Sequence, residues 1–384
     1  MSVTFAKGFA ASGVACGLKN SGKRDLAVVV NQGPLQLAAA VFTTNRCQAN
    51  PILWSKEVIK DQKVSAIVLN SGGANCYTGP QGFQTTHATA EALASHLEVS
   101  SSDVLVCSTG LIGEQLDREK LLDGVKSAVD TLSHDGGVFA SEAIMTTDSV
   151  AKRAQAESSS GWRIGGMAKG AGMLAPGLAT MLVVITTDAV IDPVELDSAL
   201  RAATRVSFDR LDSDGCMSTN DQVTLMTSGA SGIKALADEF QELLTSVCKE
   251  LALKLLDDAE GSSHNIHITV EGAASEDDAV EVARSVARNN LFKAAIYGND
   301  PNWGRILAAV GTTKAEFDPY NIDVAINGVL ISSNGQPAGD RGLIDLAPRK
   351  VEININLNVG VDFATVVTND LTHKYVEENS AYSS

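Results

Sequence analysis

Short apolar runs separated by polar turns recur along the whole chain. Runs of strand length that are rich in β-branched residues predict strands at 26–30, 64–69, 104–107, 181–186, 222–226, 266–270, 322–326, 351–357 and 363–368. The segment VEININLN (351–358) alternates apolar and polar residues, which predicts that one face of this strand is buried.

Helical signals lie between these runs. Asp192, Pro193 and Glu195 form a capping box with proline at the first helical position, which predicts a helix toward residue 206. Residues 237–257 carry apolar side chains at helical spacing, and Ser275 predicts the start of a helix toward residue 290. Strands interleaved with helices predict a layered α/β fold, and no Pro- or Ser-rich linker marks a domain boundary.

Composition narrows the class of partner and the compartment. The chain has 46 acidic and 30 basic side chains and a formal charge of −16, which opposes nucleic-acid binding. Six scattered cysteines without a CxxC pair predict reduced thiols, and the first 20 residues lack a signal-peptide pattern. No apolar run approaches the roughly 20 residues that span a bilayer. We therefore expect a cytoplasmic protein that binds neither nucleic acid nor membrane.

The histidines do not predict a metal site. His264 and His267 are three residues apart in a strand-like alternation, which predicts that their imidazoles lie on opposite faces. The other four histidines have no Cys or carboxylate spacing typical of zinc. We expect no bound metal.

The stretch around Thr180 carries the strongest candidate chemistry. Pro176 and Gly177 predict a sharp turn, and the apolar run 181–186 follows directly. Thr180 is therefore predicted at the mouth of a strand, where its hydroxyl could act as a buried nucleophile or simply belong to a connection. A dinucleotide-binding interpretation of the glycines fails, because that motif requires a helix where the proline and strand stand.

Several ordered motifs resemble one family. They are AAVFTTNRCQANP (39–51), LNSGGANCYTG (69–79), VCSTGLIG (106–113), AIMTTD (143–148), KGAGMLAPGLAT (169–180), STND (218–221), DAEG (258–261), YGNDPNWGRI (297–306) and HKYVEENSAYSS (373–384). Together they resemble the ornithine acetyltransferase family, also called the glutamate N-acetyltransferase or ArgJ family. The resemblance implies an α/β (α+β) fold of stacked sheets sandwiched by helices, similar to DmpA and to N-terminal-nucleophile hydrolases with different connectivity.

The resemblance also implies self-cleavage between Ala179 and Thr180. The products are an alpha chain of residues 1–179 and a beta chain of residues 180–384, with two of each in a heterotetramer. A bent backbone would let the Thr180 hydroxyl attack its own preceding carbonyl, and water would open the resulting ester. The new α-amino group, whose pKa is roughly 8 in model peptides, could then serve as base for the same hydroxyl.

The resemblance also implies site residues, carried over position by position. The side chain of Thr109 and the backbone N–H of Gly110 are implied as the oxyanion hole, although residues 106–113 alone would read as an ordinary turn after a strand. The implied substrate-binding residues are Thr147, Lys169, Thr180, Glu260, Asn379 and Ser384. Lys169 would pair with a substrate carboxylate, and Glu260 would pair with an ammonium.

The implied activity is a ping-pong transfer of acetyl from N-acetylornithine to glutamate in arginine biosynthesis, with no organic cofactor. Acetyl-CoA is a possible second donor. The alternatives are an N-terminal-nucleophile amidase or aminopeptidase, which gives its acyl group to water, and an uncut binding protein.

Four further expectations concern local features. Tyr375, Val376 and Tyr382 are expected to anchor the C-terminal segment. Asn220 and Asp221 are expected either in the site or at a turn before the 222–226 strand, and residues 297–306 in a structural turn. His264 stands where the family often has lysine, which suggests a change of charge at the pocket rim.

Overall fold

The computed structural model describes residues 2–175 and 181–381. Its strands are β1 (Phe9–Val14), β2 (Leu26–Asn31), β3 (Leu37–Phe42), β4 (Ala66–Asn70), β5 (Val104–Ser108), β6 (Lys152–Glu157), β7 (Arg163–Lys169), β8 (Leu182–Thr187), β9 (Gln222–Thr227), β10 (Asn265–Ala273), β11 (Asp323–Ile326), β12 (Val329–Ser333), β13 (Gln336–Pro337), β14 (Lys350–Asn356) and β15 (Asp362–Asn369). Its helices are α1 (Asn50–Val58), α2 (Gly79–Leu97), α3 (Arg118–Asp130), α4 (Gly137–Ala143), α5 (Pro193–Arg205), α6 (Ala237–Asp257), α7 (Glu276–Ala287), α8 (Asn290–Tyr297), α9 (Trp303–Val310) and α10 (His373–Ala381).

The strands form three sheets. The first has the order β1-β2-β4-β5, the second β3-β9-β8-β7-β6, and the third β13-β12-β11-β14-β10-β15. Most neighbouring pairs are antiparallel, while β4/β5, β8/β9 and β10/β14 are parallel. These parallel pairs bring the ends of distant strands to common edges.

The first two sheets pack face to face. Alternate residues of β2 and β4, such as Val29 and Ile67, meet Met167 of β7 and Val184 of β8 in one buried cluster. The opposite faces of both sheets are covered by helices. Helices α2 and α3 cover the first sheet, and α5 and α6 cover the second. The result is a four-layer sandwich of helices, sheet, sheet and helices.

The third sheet has its own core. One face of β10, β14 and β15 packs on α7, α8 and α9 through apolar side chains such as Ile268, Val282 and Ile353. Helix α7 begins at Ser275, whose hydroxyl accepts a hydrogen bond from the Asp278 N–H. Between the α7 and α8 helices, Asn289 caps the second one.

The predicted α/β class with layered sheets sandwiched by helices is confirmed. Each predicted strand is present within three residues at either end, and α6 matches the predicted range 237–257. Asp192 caps α5 as predicted, because its carboxylate accepts from the Val194 N–H. In the part of the chain that the structure describes, no helix is long and apolar enough to cross a bilayer.

Strand ends position the candidate site. In the second sheet, Lys169 at the end of β7 lies opposite Leu182 of β8, and Leu182 lies opposite Gln222 at the start of β9. In the first sheet, Ser108 ends β5 beside Asn70 at the end of β4. The segments that follow or precede these ends therefore meet at one side of the sandwich.

Candidate active site

One cavity of about 290 Å³ collects the predicted site residues. Its lining includes the six predicted residues that the structure describes, Thr109, Gly110, Thr147, Lys169, Glu260 and Asn379. The other three, Ala179, Thr180 and Ser384, lie outside the described residues. Segments separated by up to 270 positions thus converge on a volume suited to a small molecule.

Lys169 lies at the floor of this cavity. It is the last residue of β7, it is 1 % exposed, and its Nζ donates to the Thr109 Oγ1 at 3.1 Å. Burial lowers the pKa of Lys169, although the nearby Asp148 carboxylate opposes this shift. A buried cation beside a hydroxyl is suited to hold an anionic group of a ligand.

Thr109 and Gly110 are fixed by a close approach between two chain segments. The Thr109 N–H donates to the Asn70 carbonyl at 2.9 Å, and the Gly73 N–H donates to the Thr109 carbonyl at 3.0 Å. Gly110 has a φ of +131°, and a Cβ at this position would lie 2.7 Å from the Gly73 nitrogen. Glycine is therefore required here for the backbone to reach the cavity wall.

A buried ion network supports the floor. Lys152 Nζ donates to Asp148 Oδ1 at 2.6 Å and to Asp258 Oδ2 at 2.5 Å. Asp148 also accepts the Gly170 N–H at 2.7 Å. Burial raises the pKa of Asp148. The opposite effect of Lys169, Lys152 and the hydrogen bonds is larger, so the pKa falls to about 2. The network ties the AIMTTD and DAEG motifs to the residue after Lys169.

The rim is more exposed than the floor. The exposed Thr147 donates through Oγ1 to Glu260 Oε1 at 2.7 Å, and the Glu260 N–H donates to the Ala171 carbonyl at 2.9 Å. Gly172 passes so close to Glu260 that a Cβ there would lie 2.4 Å from Oε2. The Glu260 carboxylate is thus held at the edge of the cavity.

The C-terminal helix α10 brings Asn379 to the same rim. Of the three predicted anchors, Val376 is 58 % exposed and does not anchor the helix, Tyr375 is half-buried, and Tyr382 lies outside the described residues. The Thr372 hydroxyl also holds the helix, since it donates to the Gly261 carbonyl at 2.6 Å and accepts the Tyr375 N–H at 3.0 Å. A Cβ on Gly261 would lie 2.2 Å from the Tyr375 nitrogen, so glycine in the DAEG motif permits this contact.

The expectation for His264 is wrong. Its side chain does not line the cavity rim; it is buried, with Nδ1 2.8 Å from Asp370 Oδ2 and Nε2 2.9 Å from the Leu346 carbonyl oxygen. Hydrogen bonds from His264 and Ser263 outweigh burial and lower the pKa of Asp370. His264 therefore joins chain segments rather than changing the charge of the cavity.

The structure shows the contacts of the two polar motifs whose role the sequence left open, STND (218–221) and residues 297–306. The Asn220 Nδ2 donates to the carbonyls of Ala74 and Ser108 at 2.6 and 2.8 Å, and Asn220 also lines the cavity. In the 297–306 segment, Asn302 caps α9 and Asp300 pairs with Arg341, which confirms the structural interpretation.

Sequence reasoning assigned no role to Ser218 and Thr219, which line the cavity, or to Asp148 and Lys152. Asp148 lies in the quoted AIMTTD motif, so the motif was the available signal. No sequence signal pointed to Lys152, because lysine is rarely a buried residue.

Several larger cavities lie away from the predicted residues. One of about 610 Å³ is formed partly by Phe363 and Val367, and none of the predicted site residues lines it. Another of about 590 Å³ contains five arginines, of which Arg205 and Arg210 pair with Glu276 and Arg288 pairs with Asp212. The cavity of about 290 Å³ is the candidate site because it contains the convergent polar groups.

Comparison with known proteins shows the family to which the chain belongs. The model of the ArgJ family matches residues 10–384, and the chain belongs to that family. It is 59 % identical to the "Arginine biosynthesis bifunctional protein ArgJ" of Streptomyces avermitilis and 58 % identical to that of Thermobifida fusca, over all of both chains in each case. A solved ornithine acetyltransferase of Mycobacterium tuberculosis, complexed with ornithine, is 49 % identical over 47 % of this chain and 96 % of its own, with a TM-score of 0.45.

Proposed function

We propose that this chain is a self-processed acetyltransferase of arginine biosynthesis that moves acetyl from N-acetylornithine to glutamate. The observation that carries the proposal is the convergence of Thr109, Gly110, Thr147, Lys169, Glu260 and Asn379 on one cavity. Membership of the ArgJ family and the names of its relatives support the same activity.

The proposed first half-reaction forms an acetyl ester on Thr180. The Thr180 hydroxyl attacks the acetamide carbonyl, its α-amino group takes the hydroxyl proton, and the oxyanion receives hydrogen bonds from Thr109 Oγ1–H and Gly110 N–H. Because Lys169 donates to the Thr109 oxygen, the Thr109 proton is free to point elsewhere. The C–N bond then breaks, the proton passes to the leaving nitrogen, and ornithine departs.

The second half-reaction reverses these steps with another amine. The α-amino group of glutamate attacks the ester carbonyl, the Thr180 oxygen leaves with its proton restored, and N-acetylglutamate is released. Lys169 would pair with the substrate carboxylate, and the Glu260 carboxylate at the rim would pair with the side-chain ammonium of ornithine. Acetyl-CoA is proposed as an alternative donor, consistent with the word bifunctional in the relatives' names.

Maturation is part of the proposal. Cleavage between Ala179 and Thr180 would yield chains 1–179 and 180–384, assembled as a cytoplasmic heterotetramer with Asn379 and Ser384 completing the substrate site. The new α-amino group would supply the base for the nucleophile.

Denaturing electrophoresis and activity assays of Thr180 variants test this function. The purified wild type should show the two fragments, Thr180→Ala should be uncut and inactive, and Thr180→Ser should retain part of both properties. Acetyl transfer by an uncut Thr180→Ala variant would contradict the proposal. Hydrolysis that millimolar glutamate does not divert to N-acetylglutamate would favour the amidase.

A further inference from the structure

Five arginines line the cavity of about 590 Å³, which we call the arginine cavity. They lie on α5, on the segment after it, and on α7 and its C-terminal end: Arg201, Arg205, Arg210, Arg284 and Arg288. The acidic residues of the same lining, among those the structure describes, are Asp209 and Asp277. A chain with a formal charge of −16 thus carries one concave surface with an excess of positive charge, and such a surface attracts anions.

Pairing with carboxylates uses only part of the hydrogen-bonding capacity of this cluster. Arg205 and Arg210 each donate from one nitrogen to Glu276, and Arg288 donates from Nε to Asp212 at 2.7 Å. A guanidinium group has donors on all its nitrogens, arranged as a planar fork that fits the oxygens of a phosphate. The arginines of the cavity are therefore suited to hold a phosphate group in addition to these carboxylates.

Arg284 feels the charges of its arginine neighbours. Its terminal nitrogen donates to the Asp209 carbonyl oxygen at 2.9 Å, which is a neutral acceptor. Burial lowers the pKa of Arg284; Asp212 opposes this shift, while Arg288 and Arg210 lower the pKa further. Like charges held together in a partly buried place repel each other, and an anion among them would offset the repulsion.

The arginine cavity borders the same chain segment as the candidate active site. Thr44 and Met217 line the arginine cavity, and Ser218, the residue after Met217, lines the candidate site. The Asn45 Nδ2 donates to the Met217 carbonyl at 2.9 Å, and the Thr43 hydroxyl donates to the Ser218 carbonyl at 2.7 Å. A long molecule with an anionic group in one cavity can therefore extend past this fixed segment toward the other.

We propose that the arginine cavity binds the phosphate groups of a small molecule, and that acetyl-CoA is this molecule. Coenzyme A carries its phosphates at one end and its thioester at the other, joined by a long flexible arm, which suits two cavities that border one segment. The assignment to acetyl-CoA rests on the proposed function, whereas phosphate binding does not. Free inorganic phosphate is the other source of the same chemistry.

Calorimetric titration of the purified enzyme with coenzyme A, inorganic phosphate and adenosine tests the site. Coenzyme A and phosphate should bind, and adenosine, which has no phosphate, should not. The combined substitution of Arg201→Gln and Arg205→Gln removes two exposed guanidinium groups whose surface ion pairs contribute little to folding. It should raise the Kd of both ligands at least about tenfold, the loss expected for hydrogen bonds between charged groups.

A second variant should change affinity in the opposite direction. The Asp277 side chain lines the arginine cavity and is 96 % exposed, so Asp277→Asn removes a negative charge without disturbing the core. The Kd of coenzyme A and of phosphate should fall about threefold, a gain that misfolding cannot produce. The matched control combines Arg341→Gln with Lys350→Gln, which removes two positive charges from exposed ion pairs outside the cavity lining and should leave both Kd values within twofold.

Steady-state kinetics with acetyl-CoA and glutamate separate the two sources of phosphate. If acetyl-CoA is the ligand, its KM rises at least about tenfold in the Arg201→Gln, Arg205→Gln enzyme, and inorganic phosphate competes with it. A raised Kd for phosphate with an unchanged KM for acetyl-CoA, or a wild type that does not use acetyl-CoA, would overturn the assignment to acetyl-CoA.

Two results would overturn the phosphate site itself. One is equal affinity of the wild type and the Arg201→Gln, Arg205→Gln enzyme for coenzyme A and phosphate, and the other is adenosine binding as tight as that of coenzyme A. Transfer from N-acetylornithine by Thr180→Ala, measured in parallel, would instead overturn the proposed function.

Discussion

The floor and the rim of the cavity are built differently. The floor, formed by Thr109, Lys169 and Asn220, lies at strand ends of two packed sheets, and each of these side chains is at most 5 % exposed. The rim, formed by Thr147, Glu260 and Asn379, lies on loops and on the C-terminal helix, where Thr147 and Asn379 are exposed.

This difference separates two tasks of the proposed enzyme. Groups that must meet a developing charge need fixed positions, and strand ends within a packed sandwich provide them. Groups that admit and release an amino acid tolerate mobility and solvent. Substitution of the oxyanion donor Thr109 in the floor should therefore change kcat, whereas substitutions in the rim should change KM.

The largest effect is expected for Thr109→Val, which keeps the volume and removes the hydroxyl. Loss of one oxyanion donor should lower kcat by about 100- to 1000-fold with little change in KM. Steady-state kinetics with N-acetylornithine and glutamate measure this effect, and Thr109→Ser should retain most of the activity. Activity of the Val variant within twofold of the wild type would remove Thr109 from the oxyanion hole.

The buried ion network beneath the floor can be tested through the stability of the folded protein. Asp148→Asn leaves Lys152 and Lys169 with less compensation, which should lower the free energy of unfolding by about 3 kcal/mol at pH 7. Because the folded pKa of Asp148 is depressed to about 2, its stabilisation is complete above the unfolded pKa near 4 and is lost as the pH falls toward 2.

Urea unfolding of wild type and Asp148→Asn at pH 7, 4 and 3 measures this difference, which should shrink at the lowest pH. The exposed Glu57, paired with Lys60, provides a control, since Glu57→Gln should leave stability unchanged. A difference between wild type and Asp148→Asn that stays constant with pH would exclude the depressed pKa.

Substitutions in the rim should weaken substrate binding. Glu260→Gln keeps an oxygen for Thr147 but removes the negative charge, so the KM for N-acetylornithine should rise about tenfold, equivalent to about 1.4 kcal/mol. The kcat and the KM for glutamate should change little. Glu250→Gln on α6 is the control for loss of an exposed carboxylate. A lowered kcat with unchanged KM would place Glu260 with the floor.

The smallest effect is expected for deletion of residues 380–384. Thr372, Gly261 and Tyr375 anchor the start of α10 upstream of this deletion, so the melting temperature should remain close to that of the wild type. The KM for the amino-acid substrate should rise by a few fold. Unchanged kinetics would remove Ser384 from the substrate site.

The layers of the fold were predictable because their signals are local. Strands such as β2 and β14 show their apolar period directly, and α5 and α7 begin at recognisable caps. Strand β7 was missed because Gly165 and Gly166 interrupt its apolar pattern. Gly165 is required by packing, since a Cβ at this position would lie 2.2 Å from the Ser2 carbonyl oxygen.

The site residues were predicted by resemblance rather than by pattern. Nothing local in the sequence shows that Lys169 is buried or that Lys152 pairs with Asp258 across 106 positions. The pairing depends on which strand ends meet, which is a property of the whole sheet order. For the same reason the sequence left Asn220 and Asp221 open between a place in the site and a turn before β9.

The central claim is that a newly created terminal Thr180 carries the acetyl group. Active enzyme should be incubated with N-acetylornithine carrying a labelled acetyl group, quenched before glutamate is added, digested and examined by mass spectrometry. The account predicts the label on a peptide that begins at Thr180. Label on another residue, or an intact bond between Ala179 and Thr180 in active enzyme, would contradict it.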